Sequence, residues 1–151
     1  MKKYFGTDGI RGIPNKNLTN EIVSNVTCSV EDILKPTSVA VILDTRDSSL
    51  EILDWICEGF SENIEVINYG ILPSGSMPVL LENFGHNLGI IISASHNPSE
   101  YNGIKLIDEN GSKLQDEIEI EIETNIENIS LPSAHTSYKE SEEGFKVYFE
   151  F

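Results

Sequence analysis

The sequence predicts an α/β domain of three layers, helix–sheet–helix, around a mainly parallel mixed sheet of about four strands. Three observations carry that expectation. The apolar, largely β-branched runs Val39–Leu43, Ile64–Tyr69 and Leu88–Ser93 have the character of strands buried on both faces. Between them lie segments whose apolar residues recur at helical spacing, the alternation of a βα-layered fold. The chain of 151 residues is also long enough for one domain with a real core and too short for two.

The first helix is marked by Ile22, Val23, Val26, Val30, Ile33 and Leu34, with Thr19 as N-cap and Pro36 closing the element. Val39–Leu43 is the first strand. Ser48 and Glu51 have capping-box spacing ahead of a second helical stripe, Leu50, Leu53, Ile56, Cys57 and Phe60. After the strand Ile64–Tyr69, Gly70–Gly75 reads as a loop, and Ser76 is expected to cap a short helix with Pro78 in its first turn. Leu88–Ser93 is the third strand. The loop Ser95–Gly103 leads to a fourth, Ile104–Ile107, ended by the turn Glu109-Asn110-Gly111.

Residues 116–129 carry two periods at once. Ile118, Ile120 and Ile122 alternate as in a strand, while Ile118, Ile122, Ile126 and Ile129 share a helical face. Length favours a helix, with its carboxylates spread along a solvated face. Residues 130–144 are polar and Pro-bearing and read as a linker. Phe145–Phe151 is too apolar for a free tail and reads as the aromatic opening of a further unit, which in this chain is expected either to fold back on the domain or to pair between molecules as an exposed strand. The domain is therefore expected over residues 1–130, with 131–151 as linker and the start of a second domain.

Composition excludes several classes. No run approaches the roughly 18 apolar residues of a membrane helix, and no apolar stretch follows Lys2 and Lys3 as a secretory signal requires; cytoplasm is expected. Cys28 and Cys57 have no CxxC or Cys/His neighbourhood and read as reduced structural thiols. The net charge of −15 argues against a nucleic-acid or anionic-membrane partner. Residues 115–151 hold ten acidic and only two basic residues, so most of the scarce cations lie earlier, where the candidate chemistry falls.

Two segments stand out chemically. Ser93-Ala94-Ser95-His96-Asn97-Pro98 ends a buried strand, at the carboxyl edge where open α/β sheets place ligands. A serine hydroxyl is a weak nucleophile that needs a base, a metal, or cations around a transferring phosphoryl group. His96 and Lys105, the latter in Asn102-Gly103-Ile104-Lys105, are candidates for base and charge, although Ser-His-Asn-Pro also suits an ordinary turn. Gly6-Thr7-Asp8-Gly9-Ile10-Arg11-Gly12 combines glycines that let backbone N–H groups approach an anion with an arginine fork suited to phosphate or carboxylate. Asp44 after an apolar strand offers a weaker alternative, an aspartyl-phosphate site, but the usual Asp-X-Asp spacing is absent.

Lys3–Gly12 resembles the opening of phosphoglucosamine mutases. Ser93–Pro98 with Asn102–Lys105 resembles the phosphoserine loop of the α-D-phosphohexomutase superfamily, and Asp44-Thr45-Arg46 and Gly70-Ile71-Leu72-Pro73 fall in that family's order. The resemblance implies that Ser95 stores a phosphoryl group and that one of its oxygens ligates Mg²⁺. It also implies that Arg11 and Lys105 bind beside that group, with Lys105 as general acid/base and His96 as a positioning or proton-handling neighbour. The implied reaction converts glucosamine 6-phosphate to glucosamine 1-phosphate through a bisphosphate intermediate. Phosphomannomutase or phosphoglucomutase activity, suggested by Glu100-Tyr101-Asn102-Gly103, and a catalytically dead binding domain are the alternatives. The family's Asp-Gly-Asp-Gly-Asp-Arg metal run does not occur here, so the resemblance further implies that remaining mutase domains act as partners and that this chain alone is inactive.

Overall fold

A computed structural model describes residues 2–149. Strands β1 (Ile10–Gly12), β2 (Ser38–Leu43), β3 (Glu65–Ile71), β4 (Leu88–Ile92), β5 (Asn102–Asp108) and β6 (Tyr138–Glu140) form one sheet in the order β1-β5-β4-β2-β3-β6. The central pairings join the expected strands: β2 runs parallel to β3 and β4, and β5 antiparallel to β4. Helices α1 (Asn20–Leu34), α2 (Ser49–Gly59) and α4 (Asp116–Asn125) cover one face, and α3 (Met77–Phe84) with α5 (Glu143–Phe149) lies over the other. The three-layer α/β class stands. The sheet is wider than expected by β1 and β6, three-residue edge strands too short to show a period of two.

Alternation along the strands sorts the core. Val39, Val41, Leu88, Ile90, Ile92, Ile104 and Leu106 pack towards α1, α2 and α4, while Ala40, Ile42, Ile91 and Ile107 pack towards α3. Because β2 and β4 are covered on both sides, they read as unbroken apolar runs. Thr19 caps α1 as expected, its Oγ1 accepting from Ile22 N–H at 3.3 Å. The Ser48–Glu51 capping box does not form. Ser48 is already in helical geometry, its Oγ accepts from Asn102 Nδ2 at 2.9 Å, and Glu51 accepts from Asn15. Ser76 likewise makes no side-chain cap; the turn Ser74–Ser76 precedes α3 as 3₁₀ helix. Leu50, expected in the buried stripe, is 51% exposed, and Ile52 and Trp55 fill the core instead.

The two periods in 116–129 resolve as helix, α4 followed by a 3₁₀ turn Ile126–Asn128, because Ile122 enters the core against α1 and Ser29 Oγ donates to its carbonyl at 2.6 Å. Its carboxylates are not all solvated, as expected above: Glu119 is 1% exposed and pairs with both Lys2 and Lys113. Within 131–151, expected as linker, Val66–Asn68 pairs with Tyr138–Glu140. Residues 143–149 form a helix, not a strand, because Gly144 lets α5 pack against Leu80 and Tyr69; residues 150 and 151 of the expected aromatic strand lie outside the described residues. Cys57 is buried, and that burial, with Asp54 and Glu58 nearby, pushes its thiol up to about 12; Cys28 donates to the Ser130 carbonyl. Neither cysteine forms a disulfide. No helix among the described residues is long and apolar enough to cross a membrane.

A polar chain centred on the buried His86 ties β2, β3 and the loop before β4 together on the α3 face. Tyr69, whose hydroxyl burial pushes up to about 12, donates to His86 Nε2 at 2.5 Å. That leaves His86 Nδ1–H to donate to Ser38 Oγ at 2.7 Å, and Ser38 donates onward to Glu65 Oε1 at 3.3 Å. Burial lowers the His86 pKa below 6.5, and the Glu65 carboxylate offsets part of that shift. A depressed folded pKa means that the folded state binds fewer protons than the unfolded one, so the stability this group contributes is full above pH 6.5 and is lost as pH falls through the folded value. His86→Gln should therefore flatten the fall in thermal midpoint between pH 7 and about pH 5, before the carboxylates titrate. Gly59 supplies a second test. A Cβ there would collide with the Ser24 carbonyl and Thr27 Oγ1 at the α1–α2 contact, so Gly59→Ala should cost about 1–3 kcal/mol in denaturant unfolding.

Candidate active site

The carboxyl end of β4 runs into a turn that side chains, not ladder bonds, hold in place. Ser93 N–H still reaches the Gly103 carbonyl at 3.0 Å, and beyond it the chain leaves the sheet. Ser95 then adopts φ 54°, the left-handed region that non-glycine residues avoid. Its N–H donates to Ser93 Oγ at 3.0 Å, and Asn97 N–H closes the turn on the Ala94 carbonyl at 3.1 Å. Arg46, at the carboxyl end of the neighbouring β2, donates from Nη2 to the carbonyls of Ser95 (3.2 Å) and Asn97 (2.7 Å). The backbone on both sides of His96 is thus gripped by one guanidinium.

Arg46 is itself fixed. Its Nη1 and backbone N–H both donate to Asp44, and Ser49 Oγ donates to the same carboxylate at 3.2 Å. Burial alone would raise the Asp44 carboxyl, but hydrogen bonds from the Arg46 backbone, Ser93 and the Arg46 guanidinium outweigh it and hold the group below its ordinary value. Asp44 is committed to this clamp, which leaves the aspartyl-phosphate alternative without a structural basis. Asn102, fully buried, donates to Ser48 and Ser49 and so ties the start of β5 to the start of α2.

Arg11 arrives from the other edge. β1 pairs antiparallel with β5 in the register Arg11↔Gly103, and the Arg11 side chain runs over Gly103, where a Cβ would come 2.9 Å from Arg11 Cγ. Only glycine fits there. Gly9, at φ 94°, lies so close to β5 that a Cβ would strike the Ile104 carbonyl and stand 3.0 Å from Lys105 Cα. Arg11 Nη2 reaches Ser95 Oγ at 3.1 Å, with Asp8 at 3.8 Å from the same nitrogen. Arg11 Nε is buried and has no hydrogen-bond partner among the described residues.

Of the four expected site residues, the structure brings Arg11 and Ser95 into contact. Lys105 stands two residues along β5 from Gly103, on the face that carries Arg11, and is half-buried. His96 is exposed in the turn, with no hydrogen bond among the described residues. Arg46 and Asn102 escaped the sequence reading as functional residues. Asp44-Thr45-Arg46 was visible as a post-strand motif, but nothing local shows that its arginine reaches a loop some fifty residues away. Among the described residues no group of three His, Cys, Asp or Glu converges as a metal site, so Ser95 is at most one oxygen donor and a full Mg²⁺ shell does not fit this chain alone.

A three-layer α/β domain that presents a serine hydroxyl to an arginine at a strand's carboxyl end has the architecture of a phosphosugar-mutase first domain. The family comparison agrees: residues 2–133 match the phosphoglucomutase/phosphomannomutase alpha/beta/alpha domain I, and the chain belongs to that family. It is similar to the phosphoglucosamine mutase of Alkaliphilus metalliredigens, 44% identical over 133 residues that cover 85% of this chain and 30% of that protein. The Clostridium tetani phosphoglucosamine mutase is 37% identical over all of this chain and 36% of its own length. A solved structure from Thermus thermophilus, described as a phosphomannomutase, superposes with a TM-score of 0.81 at 22% identity, over 99% of this chain and 36% of that one. The chain thus spans about a third of the length of the relatives it matches.

The left-handed Ser95 gives a direct test of stored strain. Ser95→Gly and Ser95→Ala both remove the hydroxyl, yet only glycine relieves the backbone. The glycine variant should be more stable than the alanine variant by about 1 kcal/mol in denaturant unfolding.

Proposed function

We propose that this chain is the phosphoserine domain of a phosphosugar mutase that moves phosphate between O6 and O1 of a hexosamine phosphate, converting glucosamine 6-phosphate to glucosamine 1-phosphate. The observation that carries the reading is the 3.1 Å contact of Arg11 with the hydroxyl of a strained, clamped Ser95. The partnerless Arg11 Nε supports it, since a buried donor without an acceptor is suited to a phosphoryl oxygen. The phosphoglucosamine mutase names of the relatives support the choice of sugar over the phosphomannomutase and phosphoglucomutase alternative.

In the forward step the O1 hydroxyl of the sugar attacks the phosphorus held on Ser95. The P–O bond to O1 forms as that to Ser95 Oγ breaks, and the O1 proton passes to a base. After the bisphosphate turns round, the P–O6 bond breaks, O6 gains a proton and the phosphoryl group returns to Ser95 Oγ. Arg11 stabilises charge on the transferring oxygens, and Lys105, on the same face, is the assigned proton carrier, with His96 beside the turn. When bound, Mg²⁺ would draw charge from the phosphoryl oxygens; its remaining ligands, like the sugar site, belong to other domains of the mutase. The proposed domain unit includes β6, which pairs with β3. Turnover by the isolated chain is not expected; a cytoplasmic setting suits a phosphorylated sugar substrate.

Incubation with a hexosamine 1,6-bisphosphate followed by peptide mapping should place one phosphoryl group on Ser95. Arg11→Gln should slow labelling by about 100-fold, the usual loss for one charge-stabilising donor. Label on Ser93 or Asp44 would refute the assignment.

A further inference from the structure

Residues 2–5 precede the Gly6–Gly12 loop and belong to no helix or strand, so their N–H groups have no ladder partner. Those of Lys3, Tyr4 and Phe5 are nevertheless satisfied. Glu123 Oε1 accepts from the N–H groups of Tyr4 (2.7 Å) and Phe5 (2.6 Å), and Oε2 accepts from that of Lys3 (2.5 Å). One turn earlier on α4, the buried Glu119 accepts from Lys2 at 3.0 Å. The helix supplying both carboxylates is rigidly seated by Ile122 in the core. Six residues beyond Phe5 comes Arg11, on an edge strand of only three residues paired on one side. Such a strand is marginal by itself. Phe5 is buried, but apolar packing tolerates sliding, whereas three directional, charge-assisted hydrogen bonds to one carboxylate fix the segment's register.

We propose that Glu123 is a positioning residue of the phosphoryl site: by gripping the backbone N–H groups of Lys3, Tyr4 and Phe5, it holds the segment that aims Arg11 at Ser95. This rests on the reading that Ser95 carries a phosphoryl group beside Arg11. Misplacing a charge-stabilising group by about 1 Å is enough to lose much of its effect, so the clamp acts on the site from the far end of the Gly6–Gly9 turn.

The test uses the 151-residue chain with phosphoserine installed at position 95 during translation, followed by ³¹P NMR across pH. An unperturbed phosphoserine has its second pKa at about 6. A guanidinium in contact should depress it by on the order of one unit, and Arg11→Gln defines the value without that contact. Glu123→Gln is expected to raise the pKa most of the way to the Arg11→Gln value, while Glu121→Gln, on the exposed side of the same helix, leaves it unraised. The sign is diagnostic, because loss of a negative charge alone would lower the pKa. A folded Glu123→Gln chain with the wild-type value overturns the positioning role while leaving the Arg11–Ser95 reading intact. An Arg11→Gln chain with the wild-type value overturns that reading and the positioning role with it. Should Glu123→Gln not fold, Glu123→Asp, which keeps the charge but withdraws the carboxylate by one methylene, must raise the pKa; an unchanged value again overturns the proposal.

Discussion

The antiparallel pairing of β4 with β5 is the constraint from which the rest of the site follows. β4 is buried on both faces and can only lie inside the sheet, beside β2. Its chain returns at once as β5, from Ile92↔Ile104 to Leu88↔Asp108, so the connection is forced to the carboxyl end of the sheet. That placement sets Ser95 next to the end of β2, which carries Asp44 and Arg46. It also makes β5 the surface on which β1 pairs, bringing Arg11 over Gly103. The glycines at 9 and 103 follow from this closeness: two backbones and an arginine stem occupy the space where their side chains would stand.

The charge distribution follows a similar logic. A chain of net charge −15 would repel an anionic sugar phosphate if its field acted at long range. Salt limits that range to about 8 Å at physiological ionic strength. The acidic side chains of α4 are also partly consumed: Glu119 by two lysines, and Glu123 by backbone N–H groups. What stands beside the Ser95 hydroxyl is local: the Arg11 guanidinium, with Lys105 two residues along β5 from the register partner of Arg11. Short-range cations at a strand edge set the local electrostatics there, whatever the net charge at a distance.

What the sequence disclosed and what it withheld divide along the range of the interactions. β2 and β4 were legible because burial on both faces leaves a local trace, an uninterrupted apolar run. Thr19 was legible because a cap acts three residues away. Ser48 fitted a capping box equally well on paper, but a partner fifty-four positions later, Asn102, claims its hydroxyl. The same holds for Glu123, whose three donors lie some 120 positions upstream, and for the loop residue His86, whose partners belong to β2 and β3. α4 shows a mixed case. Alternating isoleucines gave it a strand's period, the length of the segment favoured a helix, and packing of Ile122 into the core agrees with the helix. Ser95 and Arg11 stand out in the sequence because their segments carry unusual residue combinations; that they touch is a property of the fold alone.

The site also shows how a backbone strain can be kept without a ladder to hold it. Ser95 sits past the last sheet hydrogen bond, where a left-handed residue would ordinarily relax towards a more populated region. Four hydrogen bonds prevent that: one to its own N–H, one to its own carbonyl, and two that close and grip the turn at Asn97. The donor for two of them, Arg46, is held by a carboxylate whose oxygens are otherwise engaged. A neutral or more flexible donor could satisfy one carbonyl, but the planar fork reaches both from a single fixed point. The serine hydroxyl is thereby presented outward while its backbone is immobilised, the geometry on which the proposed phosphoryl-carrier role rests. The rigidity of the turn thus derives from β2, a strand buried on both faces of the sheet, through two residues at its end.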